Sequence, residues 1–347
     1  NTLSAQNFTS ATNTYNTAVG HDAGKAVTTG VQNTLIGGLA GDALTDADNN
    51  VAIGYHSLNA DTLGSKSVAV GPYALYSQNF TSATNSFNTA VGADAGLLVT
   101  TGTQNTLIGG LAGDALTTGY HNVALGYAAL TADTLGRSTV AIGNEALSTQ
   151  NFTSATDSFN VAVGDQAGKS VTTGSINTLI GGLSGDALTD GNSNVAVGYD
   201  SLGAETRGDR NVAIGVAALQ VQNNTSNVDA YNTAVGYGAG ALVTTGIANT
   251  LIGGLAGDVL TDADFNVAVG QSALSADTLG SRSVAVGSSA LASQNFTSAT
   301  DGFNTAVGHV AGYAITTGTS NTLIGGQAGD AINTGYDNTA VGVNALG

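Results

Sequence analysis

The chain has 347 residues, 50 of them Gly, a net charge of −17, and no Cys, Met or Trp. The 42% hydrophobic content is too high for a disordered acidic chain, and the absence of Cys excludes disulfides and thiolate metal sites. The negative charge argues against nucleic acid as a partner. No apolar run is long enough to insert this segment in a membrane.

A five-residue motif, NTAVG or a close variant, occurs 19 times, first at Asn16. Successive copies start 17, 17, 17 and 21 residues apart, and this set of spacings recurs as a 72-residue super-repeat of four units. Within each unit, position 1 is Asn, Ser or Thr, position 2 is Val or Thr, and position 3 is Ala or Leu. Position 4 is aliphatic, position 5 is always Gly, and position 8 is always Ala or Ser. Such periodicity indicates stacked repeats.

The aliphatic residues at positions 2 and 4 alternate as in a β-strand, which predicts that they face a core. Gly at position 5 is typical of a tight bend, the small residue at position 8 suits an inner corner, and a second apolar stretch (residues 26–30 in the first unit) predicts a second strand. We therefore expect an all-β chain that forms a parallel β-solenoid, or β-roll, of 19 coils. Asn ladders would satisfy the backbone groups at its corners.

Residues 1–347 are expected to form a single continuous solenoid domain, since the repeat fills the chain. Because both ends fall within coils, the sequence is expected to be a fragment of a longer fibre.

Position 3 would face away from the core if positions 2 and 4 face it, yet it is always Ala or Leu. A strand that is apolar on both faces is usually covered on both. This predicts an oligomer face marked by Leu35, Leu107, Leu179, Leu251 and Leu323. The alternative is that exposed Ala on this face has no role.

Two segments, KSVAVGPYA at residues 66–74 and NVAIGYHS at residues 50–57, resemble the YadA-like head repeats of trimeric autotransporter adhesins. Related repeats occur in bacteriophage tail fibres. The resemblance covers almost the whole chain and implies a homotrimeric parallel β-roll, exposed on a cell surface or a virion. The period of 17 or 21 residues is longer than that of the usual adhesin coil, and the sequence shows no heptad stalk or membrane anchor.

The titratable residues do not form a catalytic pattern. The four His lie mostly at different coil positions, Glu occurs only at Glu145 and Glu205, and the Gly-rich stretches lack the Lys of a phosphate loop. We therefore expect no enzyme activity, no cofactor and no metal. Asp42, Asp46 and Asp48 could form a Ca²⁺ turn, but solubilising carboxylates are the favoured interpretation.

The basic residues also follow the super-repeat and are expected to form surface ion pairs. The predicted acidic partners are Asp61, Asp133, Glu205 and Asp277, and the basic ones are Lys66, Arg137, Arg210 and Arg282. A receptor-binding stripe is the alternative.

The 21-residue unit holds four extra residues, which should bulge from the coil. Phe80 and Phe87 are expected to cover the base of this bulge. An Asn-x-Thr sequence, the acceptor pattern for N-glycosylation, occurs in each such unit. The possible glycosylation sites are Asn7, Asn79, Asn151, Asn223 and Asn295. The alternative is that Asn-x-Thr is simply common in an Asn- and Thr-rich turn.

Two functions fit these observations. The first is a structural or adhesive segment of an extracellular or virion fibre, either a phage tail fibre or a bacterial surface adhesin, in which a rigid rod displays binding surfaces to a glycan or protein receptor. The alternative is a self-assembling extracellular filament, with glycans at the Asn-x-Thr bulges. A polysaccharide-active β-helix enzyme is disfavoured, because no carboxylate-lined groove is visible.

Overall fold

The computed structural model describes residues 1–347 and is all-β, without a helix. The chain is a parallel β-solenoid of about 19 turns, as predicted, and each turn contributes one strand of three residues at positions 2–4. The structure therefore contains no candidate membrane-spanning helix.

Two compact units divide the chain, and the first is Asn1–Ser175. Its three-residue strands are β1 Thr17–Val19, β2 Thr34–Ile36, β3 Val51–Ile53, β5 Val68–Val70, β7 Thr89–Val91, β8 Thr106–Ile108, β9 Val123–Leu125, β11 Val140–Ile142 and β13 Val161–Val163. Each pairs with the next in this order, in parallel. Short two-residue strands flank the 21-residue coils, and they are β4 Gly64–Ser65, β6 Thr84–Asn85, β10 Gly136–Arg137 and β12 Thr156–Asp157. They pair as β4 with β6 and β10 with β12.

The second unit, Ile176–Gly347, repeats the same architecture. Its three-residue strands are β14 Thr178–Ile180, β15 Val195–Val197, β16 Val212–Ile214, β17 Thr233–Val235, β18 Thr250–Ile252, β19 Val267–Val269, β21 Val284–Val286, β23 Thr305–Val307, β24 Thr322–Ile324 and β25 Thr339–Val341. They pair in sequence, all parallel. The short strands β20 Gly280–Ser281 and β22 Thr300–Asp301 pair beside them.

The strands stack with identical coil positions opposite each other. In the β7–β8 pair, for example, Thr89 lies opposite Thr106, Ala90 opposite Leu107, and Val91 opposite Ile108. Side chains of one position therefore form a continuous ladder within each unit. The small residue at position 8, such as Ala23, Ala40 or Ser57, is fully buried, as predicted for an inner corner.

Position 3, not positions 2 and 4, faces the core. Every position-3 side chain from Leu35 to Leu323 is 0% exposed, whereas the flanking residues at positions 2 and 4 are partly exposed. The predicted facing is wrong by one residue, and a one-residue change reverses every side chain of a strand. Consequently the side chains proposed as an oligomer face are core residues: Leu35, Leu107, Leu179, Leu251 and Leu323.

The physical reason is the narrowness of the coil. Its interior is filled mainly by Ala at positions 3 and 8 and by Leu from the turns, such as Leu44 and Leu58. A Leu in every fourth coil fits this space, whereas β-branched side chains at both position 2 and position 4 would demand more room than the turns leave.

The bend at position 5 requires Gly. Gly92 has φ +141°, and a Cβ there would clash with the backbone of Gly109 in the next coil. Two residues later, position 7 adopts the left-handed conformation whatever residue occupies it: φ is 53° at Asp22, 59° at Leu39 and 58° at Tyr73. Non-Gly residues ordinarily avoid this conformation, so the surrounding coil imposes it.

The predicted Asn ladder is confirmed. The side-chain amide of Asn33 donates to the carbonyl of Ala47 (2.7 Å), and that of Asn50 donates to the carbonyl of Gly64 (2.9 Å). The Oδ1 of Asn33 accepts from the backbone N–H of Asn50 at 2.9 Å, one coil later. Each buried Asn thus closes its own coil and holds the next.

The predicted second strand of each coil is mostly absent. Residues 26–30 form turns and bends, although their backbone still bonds to the next coil: Ala26 N–H donates to Asp42 and Thr28 N–H to Thr45, both at 3.0 Å. Turn conformations interrupt the extended backbone there, so coil-to-coil hydrogen bonds persist without regular strands. Only the short pairs beside the 21-residue coils are extended.

The burial of position 3 gives a test with adjacent residues. Leu107→Ala should lower the free energy of unfolding by about 2–5 kcal/mol, the usual cost of truncating a buried Leu. Ile108→Ala, on the partly exposed outer side of the same strand, should cost less. Urea unfolding followed by circular dichroism measures both. A larger loss for Ile108→Ala would contradict the burial of position 3.

Candidate functional site

The outer face of the main sheet is uncharged throughout each unit. It consists of the position-2 and position-4 side chains, which are Val, Thr, Ile or Leu in every coil. Position 4 is substantially exposed, for example 36% at Ile36, 39% at Ile252 and 42% at Ile324. Because the coils are in register, these side chains form two parallel ladders at the strand spacing, one of aliphatic groups at position 4 and one of Val or Thr at position 2. We call this surface the outer sheet face.

A buried carboxylate lies in the coil that precedes each 21-residue unit. Asp61 is 0% exposed and accepts hydrogen bonds from the backbone N–H of Gly64 (3.0 Å) and Phe80 (3.1 Å). The Gln78 side chain donates to its other oxygen at 2.6 Å. The equivalent groups are Asp133 with Gln150, Glu205 with Gln222, and Asp277 with Gln294.

The Gln of this pair connects the carboxylate to the Asn ladder. Gln78 also donates to Ser67 Oγ at 2.8 Å, and its own oxygen accepts from the Asn88 side chain at 2.8 Å. Ser67 stands at position 1, where the ladder would otherwise have Asn, and the hydroxyl of Ser86 in the insert accepts from the Asn88 N–H instead. The network therefore carries the ladder across the extra four residues.

These carboxylates are not the surface ion pairs predicted from the sequence, because none of the four has a Lys or Arg within ion-pairing distance. The basic side chains lie over aromatic rings instead: Lys66 over Phe87, Arg137 over Tyr120, Arg210 over Tyr231 and Arg282 over Phe265. Arg210 and Arg282 also pair with Asp229 and Asp301.

The sequence did contain a signal for this network. In four super-repeats, an acidic residue in one coil is followed 17 residues later by a Gln. The Gln therefore occupies the same position in the next coil. In a solenoid, residues one period apart are neighbours.

Burial raises the pKa of the Asp61 and Asp133 carboxyls above the ordinary value, and the hydrogen bonds from Gln and the backbone N–H groups oppose this effect. Taking an unpaired carboxylate out of water disfavours its charged form.

The extra residues of the 21-residue units place the Asn-x-Thr sequences on the surface. The Asn residues at 7, 79, 151, 223 and 295 are all exposed. A Thr of the preceding coil holds the Asn oxygen in four of them: Thr62 donates to Asn79 (3.0 Å), Thr134 to Asn151 (3.0 Å), Thr206 to Asn223 (2.8 Å) and Thr278 to Asn295 (3.2 Å).

The two Phe residues of the insert behave differently. Phe80 is 5% exposed and lies against Gly64, so it covers the base of the bulge as predicted. Phe87 is 50% exposed, and the prediction is wrong for this residue. Phe87 is at the outward-pointing position that precedes the next Asn, with φ 50°.

The remaining titratable residues stay apart. No group of three His, Cys, Asp or Glu side chains is placed to hold a metal ion, and the surface has no enclosed pocket. The oxygens of the Asp42, Asp46 and Asp48 turn accept hydrogen bonds from Asn59, Thr29 and Val31. His21, His121 and His309 lie in separate coils, and His56 joins a cluster of tyrosines.

Comparison with known proteins finds no family model that matches the chain and no matching curated protein.

The buried carboxylates should make stability depend on pH. The folded pKa of Asp61 and Asp133 lies above the unfolded value of about 3.9. At pH values between the unfolded and the folded pKa, the folded state therefore binds more protons than the unfolded state. The stability contributed by these groups is present below about pH 4 and falls as the pH rises through the folded pKa.

Urea midpoints measured from about pH 3 to pH 7 test this dependence. Asp61→Asn combined with Asp133→Asn should flatten the decline, whereas Asp46→Asn, at an exposed carboxylate, should leave it unchanged. A double variant that retains the full wild-type decline would contradict the assignment.

Proposed function

We propose that this chain is a structural and adhesive segment of an extracellular or virion fibre, which associates with copies of itself and displays its corners to a receptor. The observation that carries the proposal is the outer sheet face. It is uncharged at positions 2 and 4 in every coil of a chain whose net charge is −17.

The outer sheet face favours a second copy of the chain as its occupant. Large exposed apolar surfaces on soluble proteins mark interaction sites, and a parallel sheet is usually covered on both faces. A partner with the same strand spacing matches this surface coil by coil, since its ladders repeat at the same interval. The resemblance to trimeric adhesin heads suggests three chains, with the carboxylates of the turns on the outside of the assembly.

The coil architecture supports a mechanical role. Adjacent coils are connected by backbone hydrogen bonds along the strands and the turns and by the buried Asn ladder. A force along the solenoid axis would have to break several of these bonds at once at any one junction. The backbone of the turns is itself hydrogen-bonded to the next coil, which should hinder proteases.

Self-association through the outer sheet face can be tested by sedimentation. The wild-type chain should sediment as a trimer, and Val91→Asp with Ile108→Asp should shift it to monomer, because buried carboxylates without partners are costly at an interface. Thr101→Asp, at an exposed turn position, is the matched control and should remain trimeric. Circular dichroism verifies that each variant is folded.

A wild-type monomer at micromolar concentrations would overturn the self-association. Unlimited fibres in electron micrographs would instead favour a filament that assembles end to end.

We further propose that the inserts can carry N-linked glycans. Each acceptor Asn is exposed, and in four of them a Thr hydroxyl holds the side-chain oxygen. The side-chain nitrogen, the atom that is glycosylated, makes no hydrogen bond within the chain in these four residues. The inserts recur once in every four coils, so glycans there would be evenly spaced within each unit.

Expression in a glycosylating host and intact-mass measurement test the modification. The wild-type chain should carry added hexose-containing mass at Asn79, and Thr81→Ala should abolish it. Thr81→Ser is the control that keeps the acceptor pattern and should keep the mass. An unmodified wild-type chain from such a host would refute the proposal.

A further inference from the structure

The first compact unit, Asn1–Ser175, carries a cluster of four aromatic rings on one corner of two adjacent coils. Tyr55 and His56 belong to one coil, and Tyr73 and Tyr76 belong to the next. His56 stacks on Tyr73 with ring centroids 5.6 Å apart and planes 8° apart, and Tyr55 meets both rings edge-on, at 4.2 and 5.6 Å. Tyr76 closes the group, at 5.8 Å from His56 and 5.7 Å from Tyr73.

The cluster is accessible although its rings hold one another in place. Tyr55 is 51% exposed, and its other three members are partly exposed. The left-handed backbone of His56 and Tyr73 sets both side chains on the same outer corner. Rings fixed by mutual packing lose little conformational entropy when a ligand binds.

The polar edges of the rings have no partner within the chain. None of the hydroxyls of Tyr55, Tyr73 and Tyr76 makes an internal hydrogen bond, whereas that of Tyr120 accepts from Arg137 at 3.1 Å. The Nδ1 of His56 is buried and also unpartnered. The Asn59 side-chain amide, in the same coil as His56, donates to the carboxylate of Asp42 in the preceding coil, and that carboxylate lies near His56.

We propose that this cluster, which we call the tyrosine patch, binds a neutral pyranose glycan. Aromatic faces carry negative charge density, which attracts the polarised C–H groups on one face of a sugar ring. The hydroxyls at the edge of the sugar can bond to the free phenol groups of Tyr55, Tyr73 and Tyr76. Asp42 and the net charge of −17 oppose an anionic glycan.

The tyrosine patch occurs once, unlike the other features of the solenoid. In the next super-repeat Tyr127 corresponds to Tyr55 and is 57% exposed, but the residues equivalent to His56, Tyr73 and Tyr76 are Ala128, Glu145 and Ser148. Tyr127 therefore has the same position and exposure without the stacked neighbours, which makes it a matched control.

This inference rests on the display role proposed above and names the class of receptor. Affinity electrophoresis of the full chain, in gels that contain galactomannan, xyloglucan, dextran or alginate separately, tests it. At least one of the three neutral polymers should retard the wild-type chain, and alginate should not. Tyr55→Ala with Tyr76→Ala should weaken the binding by roughly tenfold or more, the loss expected for a central aromatic contact.

Tyr127→Ala should bind like the wild type, and circular dichroism and the urea midpoint should show that both variants are folded. Retardation by none of the neutral polymers, retardation by alginate alone, or equal retardation of the double variant would overturn the proposal. Sedimentation of the double variant separates the two proposals, because its outer sheet face is intact. If it still forms trimers but no longer binds, both proposals stand, whereas a wild-type monomer that binds the glycan would overturn only the self-association.

Discussion

The hydrogen bond between position-1 asparagines of successive coils is the interaction on which this structure depends. Asn33, for example, is buried, its side-chain amide closes its own coil at a carbonyl 14 residues later, and its oxygen accepts the N–H of Asn50 in the next coil. A buried polar group is tolerated only when it is bonded, so each coil requires its neighbour at a fixed offset. The strands, the glycine bends and the outward ladders all inherit their register from this contact.

The 21-residue coils show how the register survives an interruption. Ser67 and Thr139 replace Asn at position 1, and their hydroxyls pair with those of Ser86 and Ser158 from the inserts at 2.5 and 2.6 Å. In the third super-repeat the acid is Glu205, and Asn211 is retained at position 1. There the N–H of Asn232 reaches Asn211 directly at 3.3 Å, and the Asn224 side chain donates to the longer acid. The two hydrogen-bond networks connect equivalent coils with different side chains, so the connection matters more than the residues that make it.

The sequence predicted the architecture because a repeat reports the same geometry many times. The Gly at position 5, the small residue at position 8 and the Asn at position 1 each have one physical reason to recur, and the structure confirms all three. The facing of the strand could not be read in this way. A strand of three residues, Thr34–Ile36 for example, is apolar on both sides, so alternation alone does not distinguish its two faces.

The volumes of the side chains distinguish the inner face of the strand from the outer face, where alternation does not. A core that accepts Ala in three coils of four and Leu in the fourth is narrower than one lined by Val and Ile, and this comparison was available from the sequence. The buried acids were missed for a different reason. Opposite charge predicted an ion pair between Asp61 and Lys66. In the structure Asp61 instead accepts a hydrogen bond from Gln78, which lies one full repeat period later in the sequence. The tyrosine patch joins residues from two coils at positions that vary between coils, so no repeat pattern marks it.

At position 7 the side chain varies from coil to coil, whereas the left-handed backbone conformation stays the same. Asp, Leu, His and Tyr occupy this position in the first four coils with nearly the same φ, between 53° and 59°. The coil imposes this conformation on each of these side chains. Mutation at this corner can therefore exchange acid, aliphatic and aromatic groups while the stack is preserved. Over evolutionary time, a chain built in this way can acquire new binding specificities by single substitutions, without having to evolve a new fold.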